Sequence, residues 1–175
     1  MLNEHIATQI YGKFQFAPTF GQKKIIESLS EWISDEDYER IFILNGYAGT
    51  GKTTLIAAFV EVLKDMRLRP ILLAPTGRAA KVMTQLANDS SAHTIHKRIY
   101  RQRTNASYES KFSLDLNKER DAVFIVDEAS MLSDSSGEGQ VFGSGSLLDD
   151  LINYVRSGTR CRLILVGDNA QLPPV

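Results

Sequence analysis

Hydrophobic positions along the chain follow two rhythms. Four short runs, Ile41–Leu44, Ile71–Ala74, Val123–Val126 and Leu163–Val166, are apolar without polar alternation. Such runs predict strands covered on both faces, the situation of a parallel sheet. Between them the apolar positions recur at helical spacing. Leu55, Phe59 and Leu63, flanked by Ile56 and Val60, make one stripe, and Ala79, Val82, Met83 and Leu86 make a second. Leu147, Leu148, Leu151, Ile152 and Val155 make a third, opened by Ser146 and closed by Gly158. Ahead of the first strand, Ile25, Ile26, Leu29, Trp32 and Ile33 form another amphipathic helix, and Thr19-Phe20-Gly21-Gln22 reads as its capping box. Alternating strands and helices predict a doubly wound α/β fold with helices on both faces of the sheet.

Two stretches break the rhythm. Arg98–Arg120 is polar, with Phe112, Leu114 and Leu116 alternating as on a strand with one covered face, and Asn105-Ala106-Ser107 supplies turn residues midway. A β-hairpin inserted at residues 98–120 is expected. Ser133–Ser146 is rich in Ser and Gly and reads as a long loop.

A length of 175 residues suits one domain, spanning 1–175, with ample core. The net charge of −1 confines any nucleic-acid surface to a local patch. Arg78, Lys81, Lys97, Arg98, Arg101 and Arg103 supply such a local excess, although each on its own could simply be a solvated charge. The lone Cys161 rules out an internal disulfide and fits a reducing compartment. No stretch approaches the roughly 18 apolar residues of a membrane span. Met1-Leu2-Asn3-Glu4-His5 lacks the basic-then-apolar order of a signal peptide, so a cytoplasmic location is expected.

The strongest chemical signal is Gly46-Tyr47-Ala48-Gly49-Thr50-Gly51-Lys52-Thr53, which fits the G-x-x-x-x-G-K-[ST] phosphate loop. A predicted strand precedes it and a predicted helix follows, as the chemistry needs. Glycines let backbone N–H groups turn inward on phosphate, and the helix N-terminus, here Thr53-Thr54, adds partial positive charge. Lys52 is expected to reach the β- and γ-phosphates of ATP, and the Thr53 hydroxyl to ligate Mg²⁺. Val123–Val126 then runs into Asp127-Glu128, two carboxylates at a strand's carboxyl end, where open α/β sheets bind ligands. Asp127 suits the Mg²⁺ shell and Glu128 suits polarisation of a water. The last strand ends in Gly167-Asp168-Asn169-Ala170-Gln171-Leu172-Pro173-Pro174. Gln171 there is either a turn residue or an amide that meets the γ-phosphate.

Together these segments resemble the RecD-like, 5′→3′ branch of the superfamily 1 DNA helicases, whose first motor domain has a RecA-like fold. The match covers motif I at Gly46–Thr53, motif II at Asp127-Glu128-Ala129-Ser130-Met131 and motif III at Gly167–Val175. Ala74-Pro75-Thr76-Gly77-Arg78-Ala79-Ala80 resembles a single-stranded DNA contact of that family, and Thr94-Ile95-His96 its next DNA-contacting motif. The resemblance implies ATP and Mg²⁺ as cofactors and single-stranded DNA as partner, held through Thr76, Gly77, Arg78, Thr94 and His96. It makes Lys52, Asp127, Glu128 and Gln171 catalytic, Gln171 as γ-phosphate sensor, and it makes Gln22 a reader of adenine.

It also implies the strand order, with Leu163–Val166 between Ile41–Leu44 and Val123–Val126, and Ile71–Ala74 beyond the latter. The inserted hairpin becomes a strand-separating pin, with Arg101 and Arg103 tracking a backbone and Tyr100, Tyr108 and Phe112 stacking a base. The second motor domain, with its arginine finger, and a C-terminal DNA-gripping insertion would lie outside this chain, leaving it weakly active alone. His93 and His96 without a third ligand make a poor zinc site, which leaves DNA contact for His96 and a plain surface role for His93. The other readings are a P-loop kinase or nucleotide switch not acting on DNA, and a binding module that does not turn over. No arginine-rich lid favours the kinase.

Overall fold

The computed structural model describes residues 2–14, 17–86, 91–104, 110–132 and 142–168. Helix α1 (Leu2–Gly12) buries Ile6, Ala7 and Ile10. Its signal is present in the sequence as an Ile–Ile pair four residues apart, but a single pair set among His5, Thr8 and Gln9 is too sparse to read as a stripe. Helix α2 (Phe20–Ser34) begins with the expected capping box. The Thr19 hydroxyl accepts from the Gln22 N–H at 3.3 Å, and Gln22 Oε1 accepts from the Thr19 N–H at 2.9 Å. Its buried face is Ile26, Leu29, Trp32 and Ile33.

The chain then alternates as the pattern requires. Strand β1 (Ile41–Asn45) leads to α3 (Lys52–Asp65), β2 (Arg69–Ala74) to α4 (Gly77–Leu86), and the two-residue β3 (His93–Thr94) to the short α5 (Ile95–Ile99). Strands β4 (Tyr100–Thr104) and β5 (Ser110–Leu114) pair with each other, and β6 (Ala122–Val126), α6 (Leu147–Arg156) and β7 (Arg162–Gly167) complete the domain. The main sheet runs β1-β7-β6-β2-β3, with every pair parallel. The order expected of the four apolar runs therefore holds, with β3 added outside β2.

Both faces of β2, β6 and β7 are covered, which is why these strands lack alternation, whereas on the edge strand β1 Ile43 is 62% exposed. Leu72, Val123, Ile125, Ile164 and Val166 point into a core shared with α1, α2, α3 and Met83 of α4. Ile71, Leu73, Phe124, Val126 and Leu163 point into a second core shared with α5, α6 and the hairpin strands. On α4 the predicted stripe is out of phase. Ala80 and Met83 are buried, whereas Val82 is 51% exposed. At 100° per residue, Val82 lies well round the helix from the Ala80–Met83 face.

The hairpin is narrower than residues 98–120. Arg98 lies in α5, and the antiparallel pairing runs from Tyr100↔Leu114 to Thr104↔Ser110. Leu116 lies beyond β5 and is 75% exposed, so the alternation ends at Leu114. Asn105–Ser107 and Tyr108 fall outside the described residues. The base-stacking role expected of Tyr100 and Phe112 is not supported, because both rings face inward. Phe112 stacks on Phe142 at 4.5 Å between centroids, and Tyr100 lies 5.4 Å from the same ring. The Tyr100 hydroxyl donates to the buried Asp150 carboxylate at 2.6 Å, and burial, followed by that bond, raises the phenol above its ordinary value.

Of the loop expected at Ser133–Ser146, residues 133–141 lie outside the described structure, and the rest is a packed anchor. The Gly143 N–H donates to the Phe112 carbonyl at 3.0 Å, and the Ser144 N–H donates to Asp150 at 2.9 Å. Gly143 has φ +46°, and a side chain there would collide with Asp150 and Tyr100. Ser146 then caps α6 by accepting from the Asp149 N–H.

The carboxyl end of α6 is held by the buried Asn117. Its Nδ2 donates to the Tyr154 carbonyl at 3.0 Å, and its Oδ1 accepts from the Glu119 N–H at 3.0 Å. Removing this amide leaves the Tyr154 carbonyl with only the Ser157 hydroxyl, which donates to it at 2.7 Å, and takes the side-chain acceptor from the half-buried Glu119 N–H. Asn117→Ala is expected to lower stability by about 1–3 kcal/mol, seen as a lower urea midpoint with an unchanged slope. An unaltered midpoint would mean that the carboxamide is not what holds α6 to the β5–β6 connection.

Candidate functional site

The phosphate-loop segment leaves the carboxyl end of β1 and turns directly into α3. Gly49 (φ +77°) and Gly51 (φ +83°) occupy the left-handed region, where residues with a Cβ are strained. At Gly46 a Cβ would stand 3.2 Å from Thr50 Oγ1 and 3.6 Å from Lys52 Cδ, so the turn closes tightly there. Its backbone is tied to itself: the Thr50 hydroxyl donates to the Tyr47 carbonyl at 2.8 Å. The Lys52 ammonium donates to the carbonyls of Gly46 and Tyr47 at 2.6 and 2.8 Å. Gly51 is the N-cap of α3 and gives it no side-chain cap. The first N–H groups of a helix have no partner within the helix, and Gly51–Thr54 at the start of α3 line a cleft there, a cradle whose geometry suits an anion.

Facing this cradle is the end of β6. The Asp127 N–H donates to the Leu73 carbonyl at 3.0 Å, carrying the β6–β2 ladder one residue past the strand. Glu128 has φ +52°, a left-handed conformation costing about 1 kcal/mol or more for a residue with a side chain. Its N–H donates to Asp127 Oδ1 at 2.9 Å. One cleft is lined by Lys52, Thr53 and Thr54 on the loop side and by Asp127, Glu128 and Asp168 across it. The structure thus brings the expected Lys52, Thr53, Thr54, Asp127 and Glu128 to one place, along with Ala48, Gly49 and Gly51.

Asp168 is a wall residue that sequence reasoning did not single out. Its only sequence signal is its position directly after a strand. Gly167 beside it is pressed against the β1 end, where a Cβ would approach Asn45 Oδ1 to 2.8 Å. Gln171 lies outside the described residues. A hydroxyl and a carboxylate across one cleft are the hard oxygen donors that Mg²⁺ accepts alongside phosphate oxygens, so these residues fit a Mg-nucleotide.

A second cleft lies on the other side of the loop. Gln22, Thr19 and Ile25 line it from α2, and Gly46, Tyr47 and Thr50 line it from the loop. Here Gln22 Nε2 donates to the Thr50 carbonyl at 3.3 Å.

The other expected contacts gather further along the sheet edge. Ala74 pairs with Thr94, so the segments entering α4 and α5 leave adjacent strand ends. The Thr76 hydroxyl accepts from the Ala79 N–H at 3.2 Å, and the Thr94 hydroxyl accepts from the Lys97 N–H at 3.3 Å. Thr76, Gly77 and Arg78 are exposed, and Thr94 is half-buried. His96 is drawn the other way. Its ring meets Phe142 edge-on at 5.1 Å and Tyr100 at 5.7 Å, and burial lowers its pKa. His93, expected at the surface, is half-buried in β3.

A family model described as an AAA domain matches residues 30–175. An uncharacterized protein of Methanocaldococcus jannaschii is 35% identical over 164 residues, covering 87% of this chain and 13% of that protein. The ATP-dependent RecD2 DNA helicase of Deinococcus radiodurans is 29% identical over 160 residues, covering 90% of this chain and 19% of the helicase. The ATP-dependent DNA helicase dda of Enterobacteria phage T4 is 32% identical over 162 residues, covering 90% and 33% respectively. The chain therefore spans a third or less of the length of each of these relatives.

The half-buried His96 predicts a pH effect. With its folded pKa depressed below the ordinary imidazole value, the unfolded chain binds the extra proton first as pH falls. The neutral ring's contribution to stability is full above about pH 6.5 and is lost as pH drops through the lower folded value. Between pH 7.5 and 5 the melting temperature of wild type should fall further than that of His96→Phe. Parallel curves for the two proteins would exclude His96 as the group responsible.

Proposed function

The chain belongs to the AAA domain family, and from that footing we propose that it is the nucleotide-binding first motor domain of a RecD-like superfamily 1 DNA helicase. The observation that carries the proposal is the single cleft in which a glycine cradle, Lys52 and Thr53 face Asp127 and Glu128. The names of two relatives as ATP-dependent DNA helicases support it, as do the segments at Thr76–Arg78 and Thr94–His96.

In this proposal the N–H groups of Gly49–Thr53 cradle the β- and γ-phosphates of ATP. Lys52 exchanges the loop's own carbonyls for phosphate oxygens, which offer a charged partner in place of neutral ones. Thr53 and Asp127 hold Mg²⁺, and the ion, when bound, neutralises charge on the phosphate oxygens. Glu128, held by its left-handed backbone and its N–H bond to Asp127, orients the attacking water. Gln171 takes the γ-phosphate-sensing role on resemblance alone, and Asp168 lines the same cleft.

Single-stranded DNA would pass over the sheet's carboxyl edge, touching Thr76, Gly77, Arg78 and Thr94, with His96 offering only the ring edge left outside its aromatic neighbours. The β4–β5 hairpin serves as the strand-separating pin. Its inward aromatics anchor it, and strand separation is left to its outer end. The second motor domain, with its arginine finger, is proposed as the partner of this domain in the same protein. Among the described residues no helix is long and apolar enough to cross a membrane, and a cytoplasmic location is proposed.

Calorimetry with Mg-ATP is the direct test. Lys52→Ala should weaken binding by about 10- to 100-fold, the worth of a hydrogen bond to a charged group. Equal affinities for wild type and variant would sink the phosphate-loop assignment. For DNA, Arg78→Ala should lower the slope of log affinity against log salt by about 0.7, one phosphate contact on a single strand. An unchanged slope would remove Arg78 from the DNA path.

A further inference from the structure

The segment joining the hairpin to β6 is a strap laid across the carboxyl end of α6. Its burial alternates: Asn117 is buried and Glu119 largely so, whereas Leu116, Lys118 and Arg120 stand outward. Side chains two apart in an extended chain share a side, so the outward residues form one row about 13 Å long. Leu116 is 75% exposed even though Asn117, the next residue, pins the strap from beneath.

Basic groups gather around the row. Glu119 accepts from Arg69 at 2.7 Å on one carboxylate oxygen and from Arg98 on the other. Arg160 donates to both oxygens of Asp121, at 2.5 and 2.7 Å. Each of these acids is thus already held by arginine, and Lys118 and Arg120 make no ion pair among the described residues. The backbone beneath is tied across strands, since the Arg69 N–H donates to the Asp121 carbonyl and the Asp121 N–H to the Thr159 carbonyl, each at 3.0 Å. The patch therefore sits on the amino ends of β2, β6 and β7, opposite the Lys52–Asp127 cleft. Arg69, Arg98, Lys118, Arg120 and Arg160 outnumber Glu119 and Asp121 there, on a chain whose net charge is −1.

Surplus positive charge suits an anionic partner, and Leu116 decides which kind. A nucleic acid meets a basic row chiefly through its phosphates. Phosphates leave a leucine unburied, and Glu119 and Asp121 repel them. A polypeptide carrying carboxylates beside an apolar side chain satisfies both features of the row. We propose that this amino edge of the sheet is a docking surface for an acidic segment of a partner protein. The segment lies extended, with one apolar side chain over Leu116 and carboxylates along Lys118 and Arg120. A partner held there leaves the nucleotide cleft open.

Fluorescence anisotropy with a labelled peptide, Gly-Ser-Leu-Ser-Asp-Ser-Asp-Ser-Gly, tests this, with the same peptide carrying serine for leucine as its control. Wild type should bind the leucine peptide about three- to tenfold more tightly, as partial burial of one leucine supplies. Leu116→Ser should abolish that preference. Lys118→Glu and Arg120→Glu together should weaken the leucine peptide about tenfold, as exposed ion pairs turned repulsive would. The substituted side chains are exposed, so melting temperatures should match wild type. A leucine preference that survives Leu116→Ser, a charge reversal without effect, or no binding of either peptide overturns the proposal. So does an oligothymidylate whose affinity falls by the same factor on charge reversal, which would make the row a nucleic-acid contact.

Discussion

Parallel register among β1, β7, β6 and β2 is the constraint on which the rest of the molecule depends. Asn45 pairs with Gly167, Val126 with Leu165, and Leu73 with Val126, so the carboxyl ends of these strands finish almost level. Everything with chemical potential leaves from that edge: the glycine turn after β1, the acidic pair after β6, Asp168 after β7 and the Thr76 segment after β2. A slip of one residue would move an end by about 3.3 Å and send the wrong side chains into each core. With both faces of β2, β6 and β7 packed, that slip is expensive on two sides at once. The alignment that brings Lys52 opposite Asp127 is therefore enforced by hydrophobic burial far below the cleft.

Within that frame the buried polar residues Ser30, Asn117, Asp150 and Arg162 are each hydrogen-bonded, while Arg98 Nε and Ser113 Oγ are buried without a partner. Arg162, 4% exposed at the opposite end of β7, donates to the carbonyls of Trp32, Asp35 and Asp37 and lies over the rings of Trp32 and Tyr38. Burial lowers its pKa, yet a guanidinium remains charged, so the cost of desolvation is met by this ring of carbonyl dipoles. The result fixes the carboxyl end of α2 against the start of β7. Asp150 does the corresponding work on the other face, gathering Tyr100 and Ser144 so that the hairpin base and the entry to α6 share one acceptor. Arg162, Asp150 and Asn117 each join segments distant in sequence, a way of selecting one packing over near alternatives.

What the sequence made legible is what local chemistry controls. The four apolar runs, the Thr19–Gln22 box, the Ser146 cap and the glycine turn each carry their cause within a few residues. The strand order followed from resemblance, and the residues that meet at the cleft followed from the order. Legibility failed where long-range packing decides. Val82 looked like core until the phase of α4 against the sheet was known. His96, Tyr100 and Phe112 looked like surface chemistry, and they turn inward because Phe142, from a distant and compositionally bland segment, supplies the ring they pack against. Helix α1 was overlooked because it buries so few residues that it has little pattern to show. Gln22 carried two legible roles, and its bond to the Thr50 carbonyl, 28 residues away, could be read from neither.

The hairpin's closure has an evolutionary consequence. Its strands leave and return at one paired position, Tyr100 opposite Leu114, and that base is clamped by Phe142 and Gly143. Among the described residues the parallel sheet does not continue into the hairpin, whose strands pair only with each other. Changes farther out than the Gln102–Phe112 pair thus touch neither the register of the parallel sheet nor the Lys52–Asp127 cleft, and drift there meets little resistance from folding. Here relatives of one ancestral domain could diverge quickly, each acquiring its own tool on an unaltered mount.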